Sequence, residues 1–379
     1  MGKEQESSFP CASLGHKVVR GGVKPPRFFF SVEELSGLFD LPEDVRRDAK
    51  KVEEFFPVRI PEFYLNLMNL EDPSCPLKRQ AFPSIDELSD SGYVDPLGEE
   101  KSSLTMSFIK RYPGRGVFLV SSQCAMFCRF CNRRRLLGMD SELERSWDET
   151  FKCMEKLEDL HEVILSGGDP FMQEVEKLRY VLERIKGIRK IRTIRISTRV
   201  PVVFPQGVSE ELVRTLRMFR PLWIVIHINH PKEVSEEFKK IVRDLQMSGL
   251  QILSQTVLLR GVNDCARTLI DLFETLVSLG VKPYYLFQLD EVKGACHFKV
   301  KLSQGTKIYR ALRMYASGLA IPSYVIDITG GLGKVQVTES IIGRDGKTVL
   351  LKTPEGKIGR YSDNGYDSEC KKCGLCDEI

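Results

Sequence analysis

The sequence predicts an α/β fold in which a partial, TIM-like (β/α)6 barrel follows an N-terminal helical segment and precedes a C-terminal metal-binding tail. Six short apolar runs alternate with amphipathic stretches of helical length between residues 116 and 290. Such alternation is typical of βα units that form a parallel sheet. Chemically unusual residues follow these runs, at the edge where parallel α/β folds place their active sites. A doubly wound open sheet would fit the same periodicity.

The composition is that of an ordinary globular protein. Of the 379 residues, 42% are hydrophobic and 28% are charged. The 56 basic and 52 acidic residues give a net charge of +4, which does not predict a nucleic-acid partner. The N-terminus lacks the apolar core of a signal peptide, and no run approaches the roughly 18 apolar residues of a membrane span. These features predict a cytoplasmic protein without a membrane partner.

Four regions can be predicted along the chain. Residues 1–30 are polar, contain KPP, and are expected to form an extended arm. In residues 31–110, helical patches alternate with proline breaks, which predicts an N-terminal helical cap. The barrel is expected over residues 111–335, and residues 336–379 form the C-terminal segment with its cysteine tail.

The six apolar runs are the predicted parallel strands. In chain order they are GVFLVSSQC, EVILSGGDP, IRTIRISTRVP, LWIVIHINH, LQILSQTVLLRGV and KPYYLFQLD. Between them lie helix-like segments such as QEVEKLRYVLERIKG and KEVSEEFKKIVRDLQMSG. The polar residues at the carboxyl ends of the runs are Cys124 and its partners, Ser166 to Asp169, His227, Gln255 and Asp290.

Six of the eleven cysteines form two clusters. The first, Cys124, Cys128 and Cys131, has the spacing C-x3-C-x2-C, and the second, Cys370, Cys373 and Cys376, has C-x2-C-x2-C. In a reducing compartment such clusters favour metal ligation over disulfides. A zinc site would ordinarily need a fourth protein ligand. Three thiolates on a 4Fe-4S cluster instead leave one iron open for a substrate or cofactor.

The first cysteine cluster resembles the signature of the radical S-adenosylmethionine (SAM) family. The triplet follows a predicted strand, an aromatic residue precedes its last cysteine, and the small-residue motif LSGGDP follows the next strand. The resemblance implies a 4Fe-4S cluster held by Cys124, Cys128 and Cys131, with SAM as a second cofactor. The residues that it places around SAM are Phe130, Ser166, Gly167, Gly168, Asp169, His227 and Gln255.

A narrower resemblance covers most of residues 60 to 379. The motifs CRFCNRRR, RYPGR, QTVLLRGVND and DITGGLGK are together similar to those of the lysine 2,3-aminomutases. The last motif lacks the spacing of a nucleotide-phosphate loop. The resemblance implies pyridoxal 5'-phosphate (PLP) as a further cofactor, with Lys334 as its Schiff-base lysine and catalytic residue. The implied polar contacts of PLP are Arg111, Arg115 and Gln255.

The same resemblance assigns the substrate contacts. It implies that Arg133 binds the α-carboxylate of the substrate, whereas Arg134 and Arg135 are expected to balance structural carboxylates. It places Asp290 and Asp327 at the distal ε-ammonium of lysine. Two carboxylates there favour lysine over glutamate, whose distal carboxylate they would repel.

The C-terminal cysteines predict a second metal site. The resemblance implies that Cys265 joins Cys370, Cys373 and Cys376 to bind zinc between subunits, which predicts a homodimer or homotetramer. Four thiolates would complete a tetrahedral structural site. An additional iron-sulfur cluster and unligated cysteines are the alternatives.

The predicted function is that of a PLP-dependent radical isomerase that converts L-lysine to β-lysine. The resemblance implies that a 5'-deoxyadenosyl radical abstracts hydrogen, that the amino group migrates by one carbon, and that SAM is regenerated. Flavodoxin or ferredoxin is the expected electron donor. One alternative is the aminomutase that supplies β-lysine for modification of elongation factor P, although shorter members of that branch generally lack the cysteine tail. The other is a non-catalytic iron-sulfur electron-transfer protein, which would not require Lys334, Asp290 or Asp327.

Overall fold

The fold is seen in a computed structural model that describes residues 26–38, 41–89, 92–370 and 373–376. Residues 1–25, most of the predicted arm, lie outside these ranges. None of the helices in these ranges is both long and apolar enough to cross a lipid bilayer.

An N-terminal segment of short helices packs against the barrel. Its strands and helices are β1 Phe28–Phe29, β2 Ile60–Pro61, α1 Val32–Ser36, α2 Glu43–Glu53, α3 Glu62–Leu67 and α4 Pro76–Ala81. The Ser31 hydroxyl caps α1 by accepting from the Glu34 amide at 3.1 Å. The Tyr64 hydroxyl donates to Glu233 at 2.7 Å inside the protein, which fixes the segment to the barrel.

The described chain contains a ten-stranded sheet that forms the frame of the protein. Its strands are β3 Ser103–Thr105, β4 Phe108–Tyr112, β5 Arg115–Ser121, β6 Glu162–Gly167, β7 Thr193–Thr198, β8 Trp223–His227, β9 Gln251–Leu258, β10 Lys282–Gln288, β11 Ser323–Ile328 and β12 Gly333–Gln336. The six predicted runs correspond to the parallel strands β5 to β10. A seventh parallel strand, β11, pairs with β10 and was not predicted. The antiparallel strand β4 crosses the predicted domain boundary at residue 110, and the division into domains stays a prediction.

Helices pack on the sheet; most are amphipathic, and one four-residue helix is buried throughout. They are α5 Asp140–Arg145, α6 Trp147–Lys156, α7 Val175–Gly187, α8 Val200–Val203, α9 Glu210–Met218, α10 Glu236–Met247, α11 Ala266–Ser278 and α12 Leu302–Tyr315. In α7, for example, Leu178, Val181, Leu182 and Ile185 are buried, which is the spacing of one helical face. The strands follow one another in chain order, without the reversal that defines a doubly wound sheet. The predicted partial barrel is therefore confirmed.

Side chains connect the two ends of the sheet. The guanidinium of Arg111, on β4, lies 3.3 Å from a carboxylate oxygen of Asp327 on β11. Next to this ion pair, the backbone N–H of Lys334 donates to the Tyr112 hydroxyl at 2.6 Å. The sheet thus curves until β4 faces β11 and β12, and side chains rather than strand pairing close the seam.

The C-terminal segment ends in a tail that returns to the barrel. It contains α13 Val337–Ser340 and an antiparallel sheet of β13 Ile341–Asp345, β14 Thr348–Lys352 and β15 Ile358–Ser362. After β15, the tail reaches the start of α11, where the Glu369 amide donates to Asp264 at 2.7 Å. Arg79 and Arg260 pair with the Glu369 carboxylate at 2.9 and 3.2 Å.

Candidate active site

The loop after β5 carries the first three cysteines, and the N-terminal segment holds it in place. We call residues 122–133 the cysteine loop. The Arg129 amide donates to the Gln80 carbonyl at 2.9 Å. The Arg129 side chain forms a buried two-point ion pair with Glu87, with contacts of 2.7 and 2.8 Å. Both interactions join the loop to residues that lie far from it in sequence.

The environment of the three thiols fits an iron-sulfur cluster. Burial raises the pKa of Cys124 well above its ordinary value, and burial also raises the pKa of Cys128. The Arg199 guanidinium donates to the Cys128 sulfur at 2.9 Å and acts in the opposite direction. Among the described residues, Arg199 and Arg59 each retain a buried Nε without a hydrogen-bond partner. A bound metal would hold the thiols as thiolates, and these cationic donors suit such a negatively charged group.

The small-residue motif LSGGDP at the end of β6, which we call the glycine motif, packs directly against the cysteine loop. The amide of Gly168 donates to the Ser121 carbonyl at 2.6 Å, and that of Asp169 donates to the Gln123 carbonyl at 2.7 Å. A Cβ atom on Gly168 would lie 2.3 Å from the Gln123 carbonyl oxygen. The observed reason for glycine here is the close approach of two protein backbones. A contact between Gly167 or Gly168 and SAM stays a prediction.

Asp169 connects the ends of β6 and β7. Its carboxylate accepts hydrogen bonds from the Thr198 hydroxyl at 2.7 Å, the Arg199 amide at 2.6 Å and the Phe171 amide at 3.0 Å. The residue is 5% exposed, and burial raises its pKa to about 6 despite these bonds. The role seen in the structure is therefore to fix the site backbone, and a SAM contact by Asp169 stays a prediction.

Three other predicted SAM residues lie at the same edge of the sheet. The ring of Phe130, in the cysteine loop, lies 5.4 Å from that of His227 at the end of β8. Gln255 is opposite His227 in the β8–β9 register. Burial and then the charge of Arg199 lower the pKa of His227 to about 3, and its Nε2 lies 3.1 Å from Asn229 Oδ1. Near neutral pH, His227 therefore acts as an uncharged hydrogen-bonding group.

Arg133 connects the glycine motif to a buried carboxylate. One terminal nitrogen donates to the Ser166 hydroxyl at 2.8 Å, and the other donates to Glu99 at 2.7 Å. The neighbouring arginines contact structural carboxylates: Arg134 pairs with Glu87 at 3.2 Å and Arg135 with Glu99 at 2.9 Å. These contacts support the predicted charge-balancing role of the two arginines, which stays a prediction.

Lys334 lies in an aromatic environment beside Asp327. The two residues are opposite each other on β12 and β11, with the ammonium nitrogen 3.5 Å from a carboxylate oxygen. The same nitrogen lies 4.3 Å from the ring centre of Phe287 and 4.9 Å from that of Tyr285. Both rings belong to β10, so three adjacent strands form the environment of the amine.

Asp290 connects the cysteine loop to the region around Lys334. Asn132, which follows Cys131, donates its side-chain amide to Asp290 at 2.7 Å. Burial and the negative charge of Asp327 raise the pKa of Asp290 to about 7, although Asn132 and Lys334 act to lower it. Asp290 therefore lies near both Asn132 of the cysteine loop and the Asp327–Lys334 pair.

A cavity of about 310 Å³ adjoins Lys334 at the barrel seam. The residues that line it are Tyr112, Pro113, Arg115, Leu332, Gly333, Lys334, Pro354 and Glu355. The Arg115 guanidinium stacks over the Tyr112 ring, 4.2 Å from its centre. Within the described chain, Arg111 retains a buried Nε without a hydrogen-bond partner. The amine and the two arginines are donors that suit a phosphate group, and the neighbouring aromatic side chains suit a ring cofactor.

Three of the four predicted zinc ligands come together. The described residues contain one group of metal-ligating side chains with all ligand atoms within 4.8 Å of one another, formed by Cys265, Cys370 and Cys373. Cys376 is described but is not part of this group. The three cysteines are brought together within one chain, and sharing of the site between subunits stays a prediction.

Sequence reasoning missed four residues that shape the site. Asn132 and Tyr112 lie inside recognised motifs, CRFCNRRR and RYPGR, so their positions offered a signal. Glu99 lies in DPLGEE, a segment that indicates only a break between helices. Arg199 lies near the end of the third predicted run, IRTIRISTRVP, and nothing in STRVP distinguishes it from an exposed arginine.

Comparison with known families agrees with this geometry. The family model described as the radical SAM superfamily matches residues 118–273, which include the cysteine loop, the glycine motif, His227 and Gln255. Residues 118–273 therefore match a radical SAM domain, which implies a 4Fe-4S cluster and SAM as cofactors.

A second family model, described as lysine-2,3-aminomutase, matches residues 309–376. The L-lysine 2,3-aminomutase of Fusobacterium nucleatum is 36% identical over 88% of this chain and 80% of its own. That of Clostridium subterminale is 34% identical over 91% and 84%. The chain therefore belongs to the lysine 2,3-aminomutase family, whose members are isomerases, and the non-catalytic alternative is wrong. The glutamate 2,3-aminomutase of Clostridioides difficile is also 33% identical, over 88% and 80%, which leaves the substrate open.

Proposed function

We propose that this enzyme converts L-lysine to β-lysine, and that Asp290 and Asp327 recognise the distal ammonium of the substrate. The observation that carries the proposal is the presence of two carboxyl groups beside Lys334, one of them with a pKa of about 7. Burying two like charges side by side is unfavourable unless cations lie beside them, and Asp327 already pairs with Arg111 and Lys334. A lysine ammonium would supply a further cation, which Asp290 would face once Lys334 carries a cofactor.

The same pair disfavours glutamate. The side chain of Asp327 is 8% exposed, so little water screens its charge. A distal carboxylate would enter an environment that already keeps Asp290 close to protonation. Glutamate would gain nothing from the pair, whereas lysine would relieve the repulsion. This difference supports lysine even though a glutamate-specific relative is similar in sequence.

We further propose PLP as the second organic cofactor, with Lys334 as its covalent attachment point. When bound, SAM on the cluster supplies a 5'-deoxyadenosyl radical, and PLP supplies a conjugated ring that stabilises an unpaired electron during amino migration. Arg111 and Arg115 would hold the phosphate, and Gln255 would add a polar contact. Phe287 and Tyr285 would exclude water from the amine of Lys334.

The remaining proposed contacts fix the substrate at both ends. Arg133 would bind the α-carboxylate, and the two aspartates would bind the ε-ammonium. With both ends held, the β-carbon is restricted to one position, which is the main contribution that a protein makes to a radical reaction. Phe130, Ser166, Gly167, Gly168, Asp169, His227 and Gln255 are the proposed surroundings of SAM.

Several properties of the whole protein are part of the proposal. Zinc would bind Cys265, Cys370, Cys373 and Cys376, and the grouping of three of these thiols supports it. Flavodoxin or ferredoxin would supply the electron, and the enzyme would be a cytoplasmic homodimer or homotetramer.

An aminomutase that supplies β-lysine for modification of elongation factor P would use the same chemistry. The cysteine tail favours an L-lysine 2,3-aminomutase over an enzyme of that branch.

The test is an anaerobic assay of the protein reconstituted with iron, sulfide, PLP, SAM and a strong reductant. Lysine, glutamate, ornithine and arginine are supplied separately, and the β-amino acid products are identified by mass spectrometry. We expect β-lysine as the main product. Preference for glutamate would contradict the role of the aspartate pair, and no β-amino acid from any substrate would overturn the proposed function.

A further inference from the structure

The guanidinium of Arg133 is held by Glu99 along one edge. Its Nε donates to both Glu99 oxygens at 3.1 and 3.2 Å, and its Nη2 donates to one of them at 2.7 Å. The third nitrogen, Nη1, donates to Ser166 at 2.8 Å. An arginine has five N–H groups, so these contacts leave one on each terminal nitrogen. Two such groups are what a carboxylate needs for a two-point contact.

Glu99 is a buried carboxylate shared by two arginines. Glu99 is 3% exposed and accepts from Arg135 at 2.9 Å as well as from Arg133. Burial would raise the pKa of Glu99, but the two arginines outweigh it and lower the pKa to about 2. Glu99 is therefore ionised at any working pH. Arg135 also pairs with Asp95 and Glu100, both at 3.5 Å, whereas Glu99 is the carboxylate that pairs with Arg133.

We propose that Glu99 is the positioning residue of the substrate site: it orients Arg133 so that the two free N–H groups face the α-carboxylate of the amino acid. This inference rests on the proposed role of Arg133 in substrate binding. Glu99 itself does not touch the substrate. Through Arg133 and Ser166 it also fixes the distance between the substrate carboxylate and the glycine motif.

The chain offers a matched control for this role. Glu87 is likewise buried, at 2% exposure, and likewise pairs with two arginines, Arg129 and Arg134. Neither of these arginines is a proposed substrate contact. Glu99→Gln and Glu87→Gln therefore each remove one buried charge that is shared by two arginines, and only the first change removes a contact of Arg133.

The experiment measures KM and kcat per loaded cluster for both variants, together with the melting temperature. We expect Glu99→Gln to raise the KM for lysine about tenfold, which corresponds to one weakened charge-assisted contact, with a smaller change in kcat. Glu87→Gln should lower cluster loading and thermal stability, because Glu87 holds the cysteine loop, but the loaded fraction should keep the wild-type KM. Glu99→Asp should restore part of the affinity.

Equal KM values for Glu99→Gln and Glu87→Gln would overturn the inference and leave the proposed function intact. Because lysine and glutamate share the α-carboxylate, the comparison can be made with whichever substrate the wild-type enzyme accepts. A wild-type enzyme that accepts neither would overturn the proposed function, and this inference with it.

Discussion

Asp290 is the residue whose ionisation should be visible in the kinetics. Its pKa of about 7 is raised by burial and by Asp327. Below that pH the carboxyl is neutral and cannot balance the substrate ammonium, which stays protonated throughout this range. We expect kcat/KM for lysine to fall about tenfold for each pH unit below 7, as the free enzyme takes up this proton.

The Asp290→Asn variant identifies the source of this pH dependence. It cannot ionise, so its kcat/KM should be low at every pH and flat between pH 5 and about 8. Steady-state assays across that range provide the measurement. If the variant keeps the acid limb of the wild-type profile, another group is responsible.

Lys334 carries the proposed attachment of PLP. The Lys334→Ala variant should lose turnover and the visible absorption of an imine-bound cofactor, because an alanine has no amine. Its iron content should match the wild type, since its contacts are with Asp327, Tyr285 and Phe287 rather than with the cysteine loop. Lys177→Ala, on the surface of α7, is the control and should keep both properties. Loss of iron from Lys334→Ala would count against the assigned role.

At the scale of elements, the junction between β6 and the cysteine loop depends on a residue without a side chain. In Gly168→Ala, the new methyl group would meet the Gln123 carbonyl at 2.3 Å, so the loop must move. Overpacking of this kind costs about 1–3 kcal/mol of unfolding free energy. We expect lower iron content and a lower melting temperature.

Gly187→Ala is the control for that variant. A Cβ atom at Gly187 would have no neighbour within 4 Å, and the residue ends helix α7. Iron content and stability should remain at wild-type values or rise slightly, because alanine favours helix. Equal iron content in the two variants would show that the glycine junction does not support the cysteine loop.

The strands could be predicted where their pattern was strong. The runs that became β5 to β10 are apolar and lie between amphipathic helices, and burial on both faces of a parallel sheet requires that pattern. Strand β11, SYVIDI, follows a short turn after α12, and its polar Asp327 faces the site, so nothing marked it as a seventh parallel strand. Strand β4 begins before residue 111, the predicted start of the barrel, and pairs with β5.

Only part of the site could be predicted, because some of its contacts join residues that lie far apart in the sequence. Motif residues such as Cys131 and Lys334 follow from spacing and resemblance, whereas Glu99 contacts Arg133 across 34 positions of sequence. Arg199 reaches Cys128 across 71 positions. Contacts of this kind depend on how the chain folds back on itself, and no local pattern records them.

At the scale of the whole molecule, the C-terminal tail should depend on its metal. Cys370→Ser removes one of three grouped thiols, and we expect zinc to fall from about one per chain to near none. Since metal binding contributes to folding, the tail should then become sensitive to protease. Metal analysis and limited proteolysis provide the measurements. Cys153→Ser, on α6, should change neither, and unchanged zinc in Cys370→Ser would contradict the site.

The most direct test of the central claim, that the cysteine loop and Lys334 serve one substrate in one interior, follows a hydrogen atom. Lysine deuterated at its β-carbon is supplied to the reconstituted enzyme, and both β-lysine and SAM are analysed by mass spectrometry after many turnovers. We predict that deuterium appears in the 5' position of SAM and that SAM is not consumed. Formation of β-lysine without deuterium in SAM, or 5'-deoxyadenosine accumulating in step with product, would contradict the account.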